Sequence, residues 1–214
     1  MDTSGNKIIG IYGGSFDPIH YGHLRTAVEV EAFFALDELR LMPCYQSPLK
    51  QGTRASAADR VAMLQLAIAA QTDWLCETCE IERQGSSYMV ETLAMLKADL
   101  VDSTLIVFIG MDAFNQLTHW YRWQQLFNYA HLAVITRPGV VPNNLDDFLA
   151  NRLVSHAAAL RTTTAGQLFF QTVTPLDISA THIRSLFSNH GNARFLLPDS
   201  VIAYINAHNL YRTI

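Results

Sequence analysis

Two histidines set three apart in a glycine-rich stretch, Gly13-Gly14-Ser15-Phe16-Asp17-Pro18-Ile19-His20-Tyr21-Gly22-His23, are the residues whose types and spacing could do chemistry. The stretch follows the apolar run Ile8-Ile9-Gly10-Ile11 and precedes Leu24-Arg25-Thr26-Ala27-Val28-Glu29, which reads as helix. A loop leaving a strand and entering a helix meets unpaired N–H groups and the positive end of the helix dipole, a natural phosphate site. Gly13 and Gly14 let the backbone turn tightly and let a bulky ligand come close, and Gly22 does the same at the helix start. His20 and His23 would then donate hydrogen bonds to the same phosphate oxygens, with Asp17 and Pro18 shaping the turn. The spacing fits neither the dinucleotide fingerprint G-x-G-x-x-G nor a Gly-Lys-Ser/Thr phosphate loop. Two surface histidines in a turn is the bland alternative. A metal pair is the other, and it has no third ligand nearby in the sequence.

The elements that must position these residues alternate. Strands are expected over 7–12, 38–42, 104–109, 132–136 and 167–173, and helices over 23–36, 57–70, 88–100, 179–187 and 199–208. Leu24, Ala27, Val28 and Ala35 are expected near one face of the first helix. Val61, Leu64 and Ile68 keep a 3.6-residue period in the second. The alternating stretch 74–81 also reads as a strand. It contains Cys76-Glu-Thr-Cys79, whose CxxC spacing has no second pair to make a metal site. The strands at 104–109 and 132–136 are continuously apolar, as in the middle of a parallel sheet. The alternation therefore predicts an α/β fold: a Rossmann-like, doubly wound parallel sheet with helices on both faces, and ligands at the carboxyl ends of its strands. The chain, 1–214, is expected to be a single domain closing in a small helical part at about 179–214. Pro138–Asn144 reads as a loop.

Bulk properties narrow the function classes. Half of the 214 residues are hydrophobic and 16% are charged, enough apolar material for a large core. The net charge of -4 argues against a nucleic-acid partner, so an anionic ligand has to be met by locally placed cations. No apolar run approaches the roughly 20 residues of a membrane helix. The N-terminus has no leader pattern, and three cysteines do not make a disulfide framework. Cytoplasm is the expected compartment, with no membrane partner.

The glycine-histidine stretch resembles the signature G-x-F-D-P-x-H-x-G-H of the nucleotidylyltransferase superfamily. Ile178-Ser179-Ala180-Thr181-His182-Ile183-Arg184 resembles its second phosphate motif, I-S-[SA]-T-x-I-R. Within the superfamily the chain is similar to the bacterial nicotinate-nucleotide adenylyltransferases, which make nicotinic acid adenine dinucleotide from ATP and nicotinate mononucleotide. Ile109-Gly110-Met111-Asp112, Trp120-Tyr121, His131-Leu132-Ala133-Val134, Arg137-Pro138-Gly139, Leu197-Pro198 and Leu210-Tyr211-Arg212 carry that likeness almost end to end. It departs at Ser47-Pro48-Leu49-Lys50, where the family often has P-P-H-K: the histidine is lost and the cation kept. Ser87-Tyr88-Met89 stands for Ser-Tyr-Thr, a change that a role through the backbone amide accommodates.

The resemblance implies roles. His20, His23, Lys50 and Arg184 would be catalytic, neutralising and positioning phosphates. Gly13, Gly14, Ser15, Phe16, Gly110, Asp112, Ser179 and Thr181 would bind ATP, with Asp112 on the ribose hydroxyls. Met89, Trp120, Tyr121 and Arg137 would bind nicotinate mononucleotide, Trp120 by stacking on the pyridine ring. Mg²⁺ would be held mainly by ATP phosphates and water, since no carboxylate cage is visible. The other readings are another branch of the superfamily, either phosphopantetheine adenylyltransferase or a cytidylyltransferase, and a catalytically silent nucleotide-binding regulator.

Overall fold

The structure, a computed structural model, describes residues 6–46, 52–140 and 145–212. Six parallel strands form one sheet in the order β3-β2-β1-β4-β5-β6: β1 Lys7–Gly14, β2 Glu38–Pro43, β3 Trp74–Cys76, β4 Ser103–Gly110, β5 His131–Thr136 and β6 Leu168–Thr172. The helices are α1 Tyr21–Phe34, α2 Ala57–Ile68, α3 Cys79–Arg83, α4 Met89–Asp99, α5 Met111–Phe114, α6 Asp147–Ala150, α7 Ala180–Ser188 and α8 Asp199–Ala207. The doubly wound sheet expected from the alternation is the observed one.

Both faces of the sheet are covered, which is why its strands read as continuous apolar runs. On β4, Ile106 and Phe108 enter one core with Ala27, Val30 and Leu64. Leu105, Val107 and Ile109 enter the other with Leu93, Leu126 and Phe127. Strand order reverses between β1 and β4, which pair directly (Gly10 opposite Ile106, Tyr12 opposite Phe108). In open α/β sheets a ligand crevice forms outside the strand ends at such a point. Gly13 and Gly14 end β1 there, and Gly110 ends β4.

Three expectations are corrected. The stretch 74–81 is not one strand: β3 stops at Cys76 and α3 begins at Cys79. The Glu77 carboxylate accepts from the Cys79 N–H at 3.1 Å and pairs with Arg40 at 2.8 Å, so the chain turns where alternation would have continued. On α1, Val28 is exposed, and the buried face is Ala27, Val30 and Phe34. That helix also starts at Tyr21, with His20 as its extended N-cap residue, and ends at Phe34 before the left-handed Ala35. The segments joining β4 to β5 and β5 to β6 hold helical turns that the period did not signal: α5, α6 and 3₁₀ turns at Leu117–His119, Trp123–Asn128 and Ala157–Arg161. They are too short to show an amphipathic repeat. Pro138–Val140 has no helix or strand, and the rest of the expected loop, 141–144, lies outside the described residues.

Candidate active site

The phosphate-loop candidates come together. Phe16 takes a positive φ of 46° after β1, and Asp17, Pro18, Ile19 and His20 are buried beneath the start of α1. The imidazoles of His20 and His23 stack, centroids 3.7 Å apart and planes inclined by 26°. The edge of His23 meets Phe16 at 5.1 Å. Gly22 leaves room for this: a Cβ there would lie 3.0 Å from the His20 ring and 3.5 Å from the Ile178 carbonyl oxygen. The same contact shows that the second motif, which opens α7, abuts the first.

His20 is 5% exposed and its Nδ1 has no hydrogen-bond partner. Burial lowers its pKa from 6.5 to about 4. The ring is therefore neutral at physiological pH, not a cation. The unfolded chain binds the proton more readily between about pH 4 and 6.5. The stability associated with this group is therefore present above that window and is lost as pH falls through it. A histidine NMR titration should find His20 unprotonated down to pH 5; a midpoint near 6.5 would show an exposed ring.

Arg184 projects from α7 to the first loop. Its Nη1 donates to the Asp17 carbonyl at 2.8 Å and its Nη2 to Thr181 Oγ1 at 3.1 Å. Ser179 is the N-cap of α7, its Oγ accepting from the His182 N–H at 3.2 Å. Thus Ser179, Thr181 and Arg184 form one unit at a helix N-terminus beside His20. The Asp17 carboxylate is tied by the Arg54 N–H at 2.7 Å, the Ala55 N–H at 3.1 Å and the Tyr211 hydroxyl at 2.8 Å. That hydroxyl's pKa is raised, first by burial and then by the adjacent carboxylate.

Beside this loop lies a cleft of about 640 Å³ at the carboxyl edge of the sheet, large enough for a small-molecule ligand. Gly13, Gly14 and Ser15 form one wall, and Gly110 and Asp112 continue it at the end of β4. Met89, Trp120 and Tyr121 also line the cleft, Met89 next to Gly13, where an added Cβ would lie 3.2 Å from the Met89 Cε. Met89 is the first residue of α4, so the helix N-terminus opens there. Trp120 is half-buried and its indole Nε1 has no hydrogen-bond partner. Tyr121 is 43% exposed, with its ring 4.7 Å from that of Tyr88.

Two expected residues stand apart. Arg137 is exposed just past β5 and does not line the cleft. Lys50, with Leu49, lies outside the described residues. Among the described residues no group of three or more His, Cys, Asp or Glu could hold a metal ion. No described helix is long and apolar enough to cross a membrane.

Sequence reasoning missed two buried polar residues near the site. Glu80 is buried and lines the cleft. It accepts from the Thr92 hydroxyl at 2.8 Å, while the Arg83 guanidinium donates to Thr92 at 2.9 Å. This network ties α3 to α4 behind Met89. Arg60 was also overlooked, although a charge on the apolar face of α2 was visible as a break in its pattern.

Comparisons with known proteins give the family. The family model described as cytidylyltransferase-like matches residues 11–186. The chain is 43% identical over 210 residues to the probable nicotinate-nucleotide adenylyltransferase of Pseudomonas aeruginosa PAO1, covering 96% of this chain and 98% of that one. It is 42% identical over 217 residues to the protein of the same name from Acidithiobacillus ferrooxidans, covering all of both. In fold it is similar to Plasmodium falciparum nicotinic acid mononucleotide adenylyltransferase complexed with NaAD. That match has a TM-score of 0.71 at 18% identity, covering 96% of this chain and 97% of that one. With near-complete coverage of both bacterial relatives and the two phosphate motifs brought to one sheet edge, the chain belongs to the nicotinate-nucleotide adenylyltransferase family of the nucleotidyltransferase superfamily.

Proposed function

We propose that this protein transfers the adenylyl group of ATP to nicotinate mononucleotide, giving nicotinic acid adenine dinucleotide and pyrophosphate. The observation that carries the reading is the juxtaposition at one sheet edge. A phosphate-type loop bearing stacked His20 and His23 abuts a second helix N-terminus bearing Arg184, next to a cleft walled by Trp120 and Met89.

The acceptor phosphate is already anionic at neutral pH, its second pKa being about 6, so no general base is required. One of its oxygens forms a bond to the α-phosphorus of ATP. The bond from that phosphorus to the β-bridging oxygen breaks, and its electron pair leaves with pyrophosphate. Bringing two polyanions together is the main obstacle, so positioning and charge neutralisation are the protein's tools. His20, as a neutral donor, and His23 hold oxygens near the α-phosphorus. Ser179, Thr181 and Arg184 hold the β- and γ-phosphates, and Lys50 adds a cation. Gly13, Gly14, Ser15 and Phe16 let ATP approach the end of β1, and Gly110 and Asp112 meet the adenosine. Met89 and Tyr121 offer backbone amides to the nicotinate carboxylate and Trp120 covers the pyridine ring, while Arg137, which does not line the cleft, is given no contact with the acceptor.

Imidazoles, backbone N–H groups and a guanidinium suit phosphate oxygens better than Mg²⁺. They fit a metal carried in by the nucleotide rather than caged by protein. When bound, Mg²⁺ supplies further neutralisation of the triphosphate. The test is pyrophosphate release from ATP and Mg²⁺ with nicotinate mononucleotide, nicotinamide mononucleotide and phosphopantetheine offered separately. The expected result is fastest release with nicotinate mononucleotide. Faster release with phosphopantetheine, or none with any acceptor, would overturn the reading.

A further inference from the structure

The buried face of α2 carries an arginine that the chemistry above does not use. Arg60 is 0% exposed, beside Met63 and Leu64. A guanidinium cannot shed its charge to relieve burial. A buried charge is costly unless it is paired. Among the described residues Arg60 has no ion-pair partner. Its Nη1 donates to the Ser15 carbonyl at 2.9 Å, its Nη2 reaches the Tyr45 carbonyl at 3.5 Å, and its Nε has no partner. The buried Asp17 carboxylate belongs to the same neighbourhood, since Tyr211 donates to it and also lies within electrostatic reach of both Arg60 and Arg184. Around Tyr211, the Asp17 carboxylate thus stands with two guanidiniums, and among the described residues neither forms an ion pair with it.

The geometry of the loop gives this charge a direction. The Ser15–Phe16 peptide is trans, so its C=O and N–H point to opposite sides. Arg60 holds the carbonyl toward the interior and thereby turns the Phe16 N–H away from itself. Arg184 grips the Asp17 carbonyl of the same loop from the other end. Two arginines thus hold two carbonyl oxygens of one short loop, and carbonyl oxygens are the groups a phosphate would be repelled by.

We propose that Arg60 is a positioning residue of the triphosphate site: it aims the Ser15–Phe16 peptide N–H at the phosphates and places beneath the loop a positive charge that a polyanionic ligand offsets. This rests on the adenylyl-transfer reading. It goes beyond that reading by assigning part of the recognition of phosphate to a side chain that never touches it.

The experiment compares wild type with Arg60→Met, which keeps an unbranched apolar stem but removes the charge, and with Arg60→Lys, which keeps charge but loses the forked donor. KM and kcat are measured for ATP and nicotinate mononucleotide, with dissociation constants for ATP and adenosine by titration calorimetry. Arg60→Met should weaken ATP about tenfold and lower kcat about tenfold, the scale of partial loss of a preorganised electrostatic contact. Adenosine, which has no phosphate, and the acceptor KM should each stay within about threefold, roughly 0.6 kcal/mol. Equal weakening of ATP and adenosine, or an unchanged ATP-to-adenosine ratio, would overturn the proposal and leave Arg60 a packing residue. If the methionine variant does not fold, Arg60→Lys decides. A kcat lowered at least about fivefold with near-native melting supports the proposal, and wild-type kinetics overturn it. A wild type that is inactive with every acceptor yet binds ATP far more tightly than adenosine would refute the adenylyl-transfer reading alone. The calorimetric ratio would still judge Arg60.

Discussion

Replacing His20 or His23 with alanine is expected to lower kcat by about 10²–10³-fold while leaving the fold intact, the usual effect of removing one positioned donor to developing charge. The fold should survive the loss of His20, which also removes a buried Nδ1 without a partner. The two rings stack at 3.7 Å, so they act as a unit. The double variant should therefore lose less than the product of the single losses. Steady-state pyrophosphate release with circular dichroism as the fold control checks this. A kcat within about threefold of wild type, worth only about 0.6 kcal/mol, would remove that histidine from the chemistry.

Trp120→Ala is expected to raise the KM for nicotinate mononucleotide roughly five- to a hundred-fold. The pyridine ring offers few hydrogen-bonding groups, so stacking is a main source of grip, on the order of 1–3 kcal/mol by analogy with base–aromatic stacking. The position suits that role: Trp120 is half-buried, follows a 3₁₀ turn at Leu117–His119, and lines the cleft with Tyr121. The KM for ATP should stay within about threefold, because the phosphate loop and α7 belong to elements other than the segment that carries Trp120. Trp123 is the internal control. Its ring packs edge-on against Phe148 at 5.1 Å within the apolar core, and it does not line the cleft. Trp123→Ala should cost about 2–4 kcal/mol of stability, somewhat below the range for a fully buried indole, with the acceptor KM little changed. Equal weakening of both substrates by Trp120→Ala, or a lower melting temperature with unchanged kinetics, would make Trp120 a core residue.

Much of this protein is local, and local features were readable. Strands such as Ser103–Gly110 announced themselves because both faces of a parallel sheet are buried, so an unbroken apolar run is the natural sequence. The glycine-histidine loop and the Ser-Ala-Thr helix start were readable because turn geometry and capping constrain residue type at fixed offsets. Alternation misled at 74–81, where the Glu77 carboxylate turns the chain through contacts with Arg40 and the Cys79 N–H, one of them 37 residues away. It was also silent on the short helical turns around Trp120. Only the tertiary structure decided which charges matter beneath the loop. Arg60, Tyr211 and Arg184 come from α2, the C-terminal end and α7, and they meet Ser15 and Asp17 across 45, 194 and 167 residues of chain. A period or motif reports on neighbours within a few residues. The burial that keeps His20 neutral, and leaves Arg60 charged without an ion pair, is a property of the packed interior, which exists only after distant segments have closed over it.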